Sequence, residues 1–346
     1  MNLNRYGVFL PGHTGWISGS TGDAGMAAQC LRAYATIGVA LTAAGSSFAD
    51  VVRIIEYVTP EGLEAYAEAA TVRRQILGEA TPAVNTVPVA QLLQPGALIQ
   101  IEVTAQGREE AGILYLPTIT PTDQDGRLVA PGDVVAQTAQ IFKTADALLR
   151  ERGSDLSHVV MTVDFLTAAA RRDYKRSGAV RMHHLGPVYP GAAGIMQPRL
   201  IHPQALVQYD IIATRETPVL IDPGWERYKT LSYSAGVRAG KLVFLSGQGA
   251  LDPVTLDIQH VGDLAAQAEY VYGNLFKVLA VAGGHPGNIL RSVEFIAPSA
   301  VADYHTLAAV RARLFGAHQP AITTVVCGSL LKREMEIEIV PFAVLD

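Results

Sequence analysis

GMAAQCLRAYATIGVALTAAG (25–45), DVVAQTAQIFKTADALLRERG (133–153) and DLAAQAEYVYGNLFKVLAVAG (263–283) are three windows of one chain that align without a gap. Each carries Ala-Gln at its fourth and fifth positions and closes on glycine. The same register pairs Glu56 with Asp164 and Glu294, Tyr66 with Tyr174 and Tyr304, Arg73 with Arg181 and Arg311, and Pro82 with Pro190 and Pro320. It runs over 58 positions in triplicate, at fixed offsets of 108 and 130. Coincidence does not produce such a match. The chain is a tandem triplication.

Working outward from each window gives one unit. An apolar strand precedes it: YGVFLPG (6–12), GILYLPT (112–118) or KLVFLSG (241–247). The window itself has apolar residues at helical spacing and ends on Gly45, Gly153 or Gly283, each a suitable helix C-cap. A β-branched strand follows (51–59, 159–167, 289–297), then a second helix expected over roughly 61–77, 169–185 and 299–315. Two strands finish the unit, the last being ALIQIEVTA (97–105), ALVQYDIIA (205–213) or EMEIEIVPFA (334–343). The predicted order is β-α-β-α-β-β, an α+β unit with both helices on one face of a mixed sheet. The units are assigned to 1–107, 108–216 and 217–346. Only the third is expected to have a full preceding hairpin strand, LSYSAGVRAG (231–240), and TRETPVLIDPGWERYK (214–229) reads as the linker before it.

The chain has 346 residues, 49% hydrophobic and 17% charged, which describes a folded protein with ample core. A net charge of −5 without a dense Lys/Arg stripe argues against nucleic acid as a partner. Cys30 and Cys327 form no disulfide framework and no metal-spaced pair, which fits a reducing compartment. MNLNRYGVFLPG lacks the apolar core of a signal peptide, and apolar runs elsewhere are interrupted before membrane-spanning length. A cytoplasmic location, with no membrane partner, is the expectation.

The stretch YSAGVRAGKLVFLSGQGALDP (233–253), followed by GDLAAQ and a closing EIEI strand, resembles the Rid/YjgF family of small imine and enamine deaminases. The resemblance covers nearly the whole chain, strongest in unit 3 and weakest before residue 25. It implies a chorismate-mutase-like fold that assembles as a trimer, with sheets facing inward and ligand clefts between neighbours. Three units in one chain then imply an intramolecular pseudo-trimer: a monomer with three different clefts. No cofactor and no metal are implied.

The family's cleft typically holds a substrate carboxylate with an Arg directly after a Pro-Ala pair. Here the corresponding triplets are Pro82-Ala83-Val84, Pro190-Gly191-Ala192 and Pro320-Ala321-Ile322. The arginine is absent from all three, which turns the expectation away from a simple α-imino acid. The family also places a Glu on the last strand, matched here to Gln100, Gln208 and Glu336. In KREMEIEIVPF (332–342), alternation places Glu334, Glu336 and Glu338 on one face. The flanking carboxylates, about 7 Å away on an extended strand, would raise the pKa of Glu336 by about a unit.

Glu336 is therefore the expected catalytic carboxylate, with Tyr233 and Cys327 beside it. Ser246, Gly247 and Thr324, with the neighbouring Thr323, are expected to contact the ligand, as are Glu334, Glu338 and His13 at the cleft rim. Trp16, in the glycine-rich stretch GHTGWISGSTGDAG (12–25), is a candidate lid. Arg199 and Arg238 are candidate replacements for the lost arginine. MHHLGP (182–187) lacks metal-ligand spacing, because adjacent residues of a helix diverge.

The resemblance implies an enzyme hydrolysing a C=N bond, or tautomerising an enamine, in a small-molecule substrate. Two rivals stand beside it. Chorismatase-like enol-ether hydrolysis would use the same C-terminal carboxylates and cysteine. A non-catalytic ligand-binding pseudo-trimer would account for the missing arginines.

Overall fold

The computed structural model describes residues 2–17, 25–107 and 112–346. Residues 18–24 of the glycine-rich stretch lie outside it, as do residues 108–111, where unit 2 was expected to start. Three sheets form, one per unit. In unit 1, Gly7–Thr14 pairs antiparallel with Ile99–Gln106, which pairs antiparallel with Val51–Val58, which lies parallel to Ala83–Pro88. Units 2 and 3 repeat this order through Ile113–Tyr115, Val207–Thr214, Val159–Leu166 and Gly191–Met196, and through Leu242–Leu245, Ile337–Val344, Ile289–Ile296 and Ala321–Val326. The chain is α+β, built as the triplication requires.

The long helices are Met26–Ala43, Val134–Arg150 and Leu264–Val281. Asp133 and Asp263 cap the second and third through their carboxylates. Gly45, Gly153 and Gly283 all sit at positive φ just past the helix ends, a conformation that costs glycine least. The repeated glutamine has a structural task. Gln29 accepts from Leu98 N–H, Gln137 from Leu206 N–H and Gln267 from Glu336 N–H, tying each helix to the entry of the last strand.

Three expectations need correction. The second helix is broken in every unit: in unit 1 it divides at Ala65 into Pro60–Glu64 and Tyr66–Leu77. In units 2 and 3 the expected first turns wind as 3₁₀ segments, leaving α-helices at Gly178–Leu185 and Leu307–Phe315. Unit 1 also has a hairpin strand, Asn2–Asn4 against Gly7–Phe9. The stretch read as a linker adds an edge strand, Val219–Leu220, and a 3₁₀ turn, Glu226–Thr230.

Both faces of each sheet are buried, so the strands are apolar almost throughout. One face packs under its own helices in a separate core for each unit. The other faces the pseudo-threefold axis, where Phe9, Ile55, Phe165, Ile212, Phe244 and Phe295 from all three units share one core. Buried charges cross this axis. Arg53 of unit 1 pairs with Asp210 of unit 2, and Asn85 bridges them at 3.2 Å and 2.7 Å. Arg291 of unit 3 pairs with Glu102 of unit 1. At the equivalent positions between units 2 and 3 stand Met161 and Val340, both buried.

Candidate active site between units 2 and 3

Each first strand bulges just after its apolar run, and the bulge turns its backbone toward the neighbouring unit. Gly247 N–H donates to Ala192 C=O at 2.9 Å, Thr118 N–H to Val84 C=O at 3.2 Å, and Gly12 N–H to the Thr323 hydroxyl at 2.9 Å. One cavity opens beside the bulge of unit 3, between units 2 and 3, and another beside Pro11, between units 1 and 3. Only the cleft between units 2 and 3 has an ionisable residue at the equivalent point of the last strand.

That residue is Glu338. Strand register fixes the equivalence: Gln100 lies opposite Tyr57, Gln208 opposite Phe165 and Glu338 opposite Phe295. The glutamine contacts agree, since they align Glu336 with Leu98 and Leu206. Matching Glu336 to Gln100 and Gln208 was therefore wrong by two residues. The last strand begins at Ile337, so Glu334 and Glu336 sit on the approach to it and do not share the face of Glu338. Glu334 is exposed. Glu336 lies near Asp263 and Asp303, away from the cleft; partial burial and those two charges push its pKa up.

Glu338 is 6% exposed and lines a cavity of about 710 Å³. Unit 2 contributes Ala192, Gly194 and the side of its second helix; unit 3 contributes Tyr233, Gly247 and Met335. Burial raises the Glu338 pKa to about 8, against the lowering effects of the Arg227 guanidinium and the Gly194 N–H. At neutral pH this carboxyl carries a proton.

Gly247 makes room for it. A Cβ there would lie 2.5 Å from Glu338 Oε1 and 2.8 Å from the Ala193 methyl. Unit 1 repeats the arrangement, with Gly12 against Gln100. Unit 2 has Thr118 at the bulge, and Gln208 donates to Thr86 C=O across the interface with unit 1. Gly247→Ala is expected to displace the carboxyl and cost about 1–3 kcal/mol through overpacking. Denaturant unfolding reads this directly, and a variant as stable as wild type would mean that the wall yields freely.

The other candidates separate. Tyr233 lines the cleft, its ring 5.9 Å from that of Tyr228. Ser246 is fully buried: it donates to Ser234 C=O and accepts from Ala192 N–H at 2.8 Å, joining the two units beneath the cavity. Cys327 is buried in the axial core with its thiol on Ile296 C=O at 3.3 Å, and burial lifts its pKa to about 12. It is not a thiolate at neutral pH. Thr324 belongs to another group, bonded to Glu294 at 3.0 Å and Arg311 at 2.9 Å. His13 lies on the first strand of unit 1, opposite Ile101, and burial lowers its pKa. Trp16 packs its indole beside Gly96. Arg199 and Arg238 do not line this cavity, whereas Arg227, from the stretch read as a linker, does.

The repeated acid, tyrosine and arginine also resolve. Tyr174 donates to Asp164 at 2.7 Å, and Arg181 reaches the same carboxylate at 3.3 Å, forming the cleft's unit 2 wall. Tyr66 and Arg73 hold Glu56 in unit 1, and Arg311 holds Glu294 in unit 3. In all three units this group buttresses the second helix against the sheet.

The fold and the cleft define a tandem protein of three repeated units with a cavity between units 2 and 3. The Endoribonuclease L-PSP family matches three times, over residues 4–107, 110–215 and 227–345, and the chain belongs to this family. Protein DfrA of Myxococcus xanthus is 39% identical over 113 residues, 33% of this chain and 83% of that protein. The chloroplastic Reactive Intermediate Deaminase A of Arabidopsis thaliana is 29% identical over 135 residues, 38% of this chain and 65% of that protein. The crystal structure of Escherichia coli TdcF with bound serine is 29% identical, covering 33% of this chain and 88% of its own at a TM-score of 0.30. No helix among the described residues is long and apolar enough to cross a membrane.

Proposed function

We propose that the cleft between units 2 and 3 hydrolyses the C=N bond of a small imine, or of the imine tautomer of an enamine, releasing ammonia. The observation that carries this reading is Glu338: a buried carboxyl, protonated at neutral pH, facing an inter-unit cavity. Its proton passes to the imine nitrogen and leaves a carboxylate, while the carbon becomes electrophilic. Water adds to that carbon and gives a proton to the carboxylate, forming a carbinolamine. The recovered proton is delivered to the amino nitrogen, the C–N bond breaks, and the hydroxyl proton returns to Glu338 as the carbonyl forms. The chain supplies both walls of the cleft, so a monomer suffices. The Arabidopsis relative named as a deaminase supports the reaction class.

Ammonia release from freshly generated imines tests this. Activity is expected to fall as pH rises through about 8, because the acid form of Glu338 is then lost. Glu338→Gln is expected to lose at least about a hundredfold. Glu336→Gln, outside the cleft, is expected to stay within about twofold of wild type. Equal losses in the two variants, or no ammonia from any imine, would sink the reading.

A further inference from the structure

The three repeats serve as references for one another: a surface residue that the fold requires recurs, and one that it does not require stands alone. Two surfaces of the chain depart from the repeat in opposite senses. On unit 1 the departure is acidic. Its second-helix segment exposes Glu61, Glu64 and Glu68, where unit 2 has Ala169, Arg172 and Arg176 and unit 3 has Ser299, Ala302 and Thr306. On the long helix Met26–Ala43, Leu31 is 48% and Val39 73% exposed, at a spacing that keeps both on one side. Their equivalents are Ala139 and Ala147 in unit 2 and Glu269 and Lys277 in unit 3. Glu68 accepts from Ala27 N–H at 3.2 Å, which brings the two helices together as one acidic and apolar face.

Across units 2 and 3 the departure is basic. Arg171, Arg172, Lys175 and Arg176 are exposed on the turns before Gly178–Leu185. Lys332 and Arg333 stand where unit 2 has His202-Pro203 and unit 1 has Gln94-Pro95. Arg171 donates to the carbonyls of Leu330 and Leu331, and Lys332 to that of Leu256 at 2.7 Å, so these cations form one band along the mouth of the cavity. Apolar side chains stand in the band: Leu331, with Leu256 43% and Val254 84% exposed. Leu256 is held at φ +64, a left-handed backbone that disfavours any residue with a Cβ. The equivalent turn of unit 2 has Gly126 there, at φ +76. A leucine kept in that conformation and left in solvent does nothing for its own fold; burial against a partner compensates for the strain.

An acidic, apolar face and a basic, apolar face on one molecule are complementary. They lie on different units of the ring, so each copy can offer both to its neighbours. We propose that copies of this chain associate head to tail, with the acidic face of unit 1 seated on the basic mouth between units 2 and 3 of the next copy. Leu31, Val39, Val254 and Leu256 supply contact area, and the charges set the register, because exposed ion pairs alone add little. The contact is heterologous, so each copy leaves one face of each kind open and the assembly extends or closes into a ring. The neighbour then lies over the entrance to Glu338. None of this depends on the reaction carried out there. RNA is the other polyanion a basic band could take, but it leaves Val254 and Leu256 unexplained, since their side chains neither bind phosphate nor stack on bases.

Sedimentation velocity of the full chain tests the contact. The sedimentation coefficient of wild type is expected to rise with protein concentration at low salt and to return to the monomer value near about 0.5 M salt. Arg172→Glu with Arg176→Glu, and separately Glu64→Arg with Glu68→Arg, exchange charges between equivalent exposed positions. Each exchanged protein alone is expected to stay monomeric, and an equimolar mixture of the two to associate again. Leu256→Gly should weaken association by at least about fivefold without lowering the denaturant midpoint, which separates docking from folding. Should an exchanged variant misfold, Leu256→Gly and the salt dependence carry the test. Wild type that stays monomeric at every concentration overturns the proposal, as does association that survives both exchanges or does not return in the mixture. Oligomers that ribonuclease dissolves would assign the basic band to RNA and overturn it equally.

Discussion

Glu338→Gln is expected to unfold at higher denaturant than wild type at pH 9 and to match it more closely at pH 5. The native pKa of Glu338 lies near 8, above an ordinary value of 4.5. Between these values the native state keeps a proton that the unfolded chain has released. Stability then falls as pH rises, because the unfolded state binds fewer protons. The contribution is intact below about 4.5, declines across the window and is lost once pH passes the native value. A shift of this size corresponds to on the order of 3–5 kcal/mol across the full window. Glutamine carries no charge at any pH and escapes the decline. Denaturant midpoints of the two proteins at several pH values decide the matter. A gap independent of pH would mean that Glu338 is already ionised at neutrality and cannot act as the acid. The variant would thus be more stable and less active, the pattern of a group retained for chemistry at a cost in stability.

The repeat made the ends of the long helices and the strand order legible, because residues such as Gln29, Gln137 and Gln267 do the same mechanical task three times. The identity of the cleft carboxylate was legible too, but through a different signal from the one that drew attention. Alternation in KREMEIEIVPF is unchanged by a shift of two residues, so it cannot distinguish Glu336 from Glu338. Carrying the offsets of 108 and 130 onward from Gln100 leads through Gln208 to Glu338. Strand periodicity also overextended the strand: Glu334 and Glu336 lie before Ile337, where pairing begins. Arg227 was harder to find. It stands outside the repeat, in a proline-containing segment, and only the packing of its turn against Tyr228 and Tyr233 brings it to the cleft. Ser246, marked by the family resemblance, and Cys327, marked by its place at a strand end, show the converse: packing engages both in the interior.

Asp210→Ala is expected to cost about 3–5 kcal/mol, since it leaves the guanidinium of Arg53 buried without its counter-charge. Asn85 remains as a partner and supplies one acceptor, which is too little for a cation held in the axial core. Replacing both partners, as Arg53→Met with Asp210→Leu, is expected to recover most of that loss. The protein itself supplies the precedent, because the same two positions between units 2 and 3 are Met161 and Val340. An apolar pair therefore closes an equivalent interface in the same molecule, and the ion pairs are not needed for burial as such. Their distribution suggests what they do instead. Unit 1 carries both Arg53 and Glu102, unit 2 carries the acid alone, and unit 3 the arginine alone. Each unit thus presents a different charge pattern to the axis, so exchanging units within the ring would place Met161 or Val340 against a buried charge. A tandem chain needs such labels where identical subunits do not, since a misplaced unit would build the wrong walls around Glu338. Denaturant unfolding of the single and double variants, with size-exclusion chromatography for mispaired oligomers, separates the two roles. Full stability combined with oligomers in the double variant supports labelling. A double variant that is both monomeric and as stable as wild type would reduce the pair to an interchangeable contact.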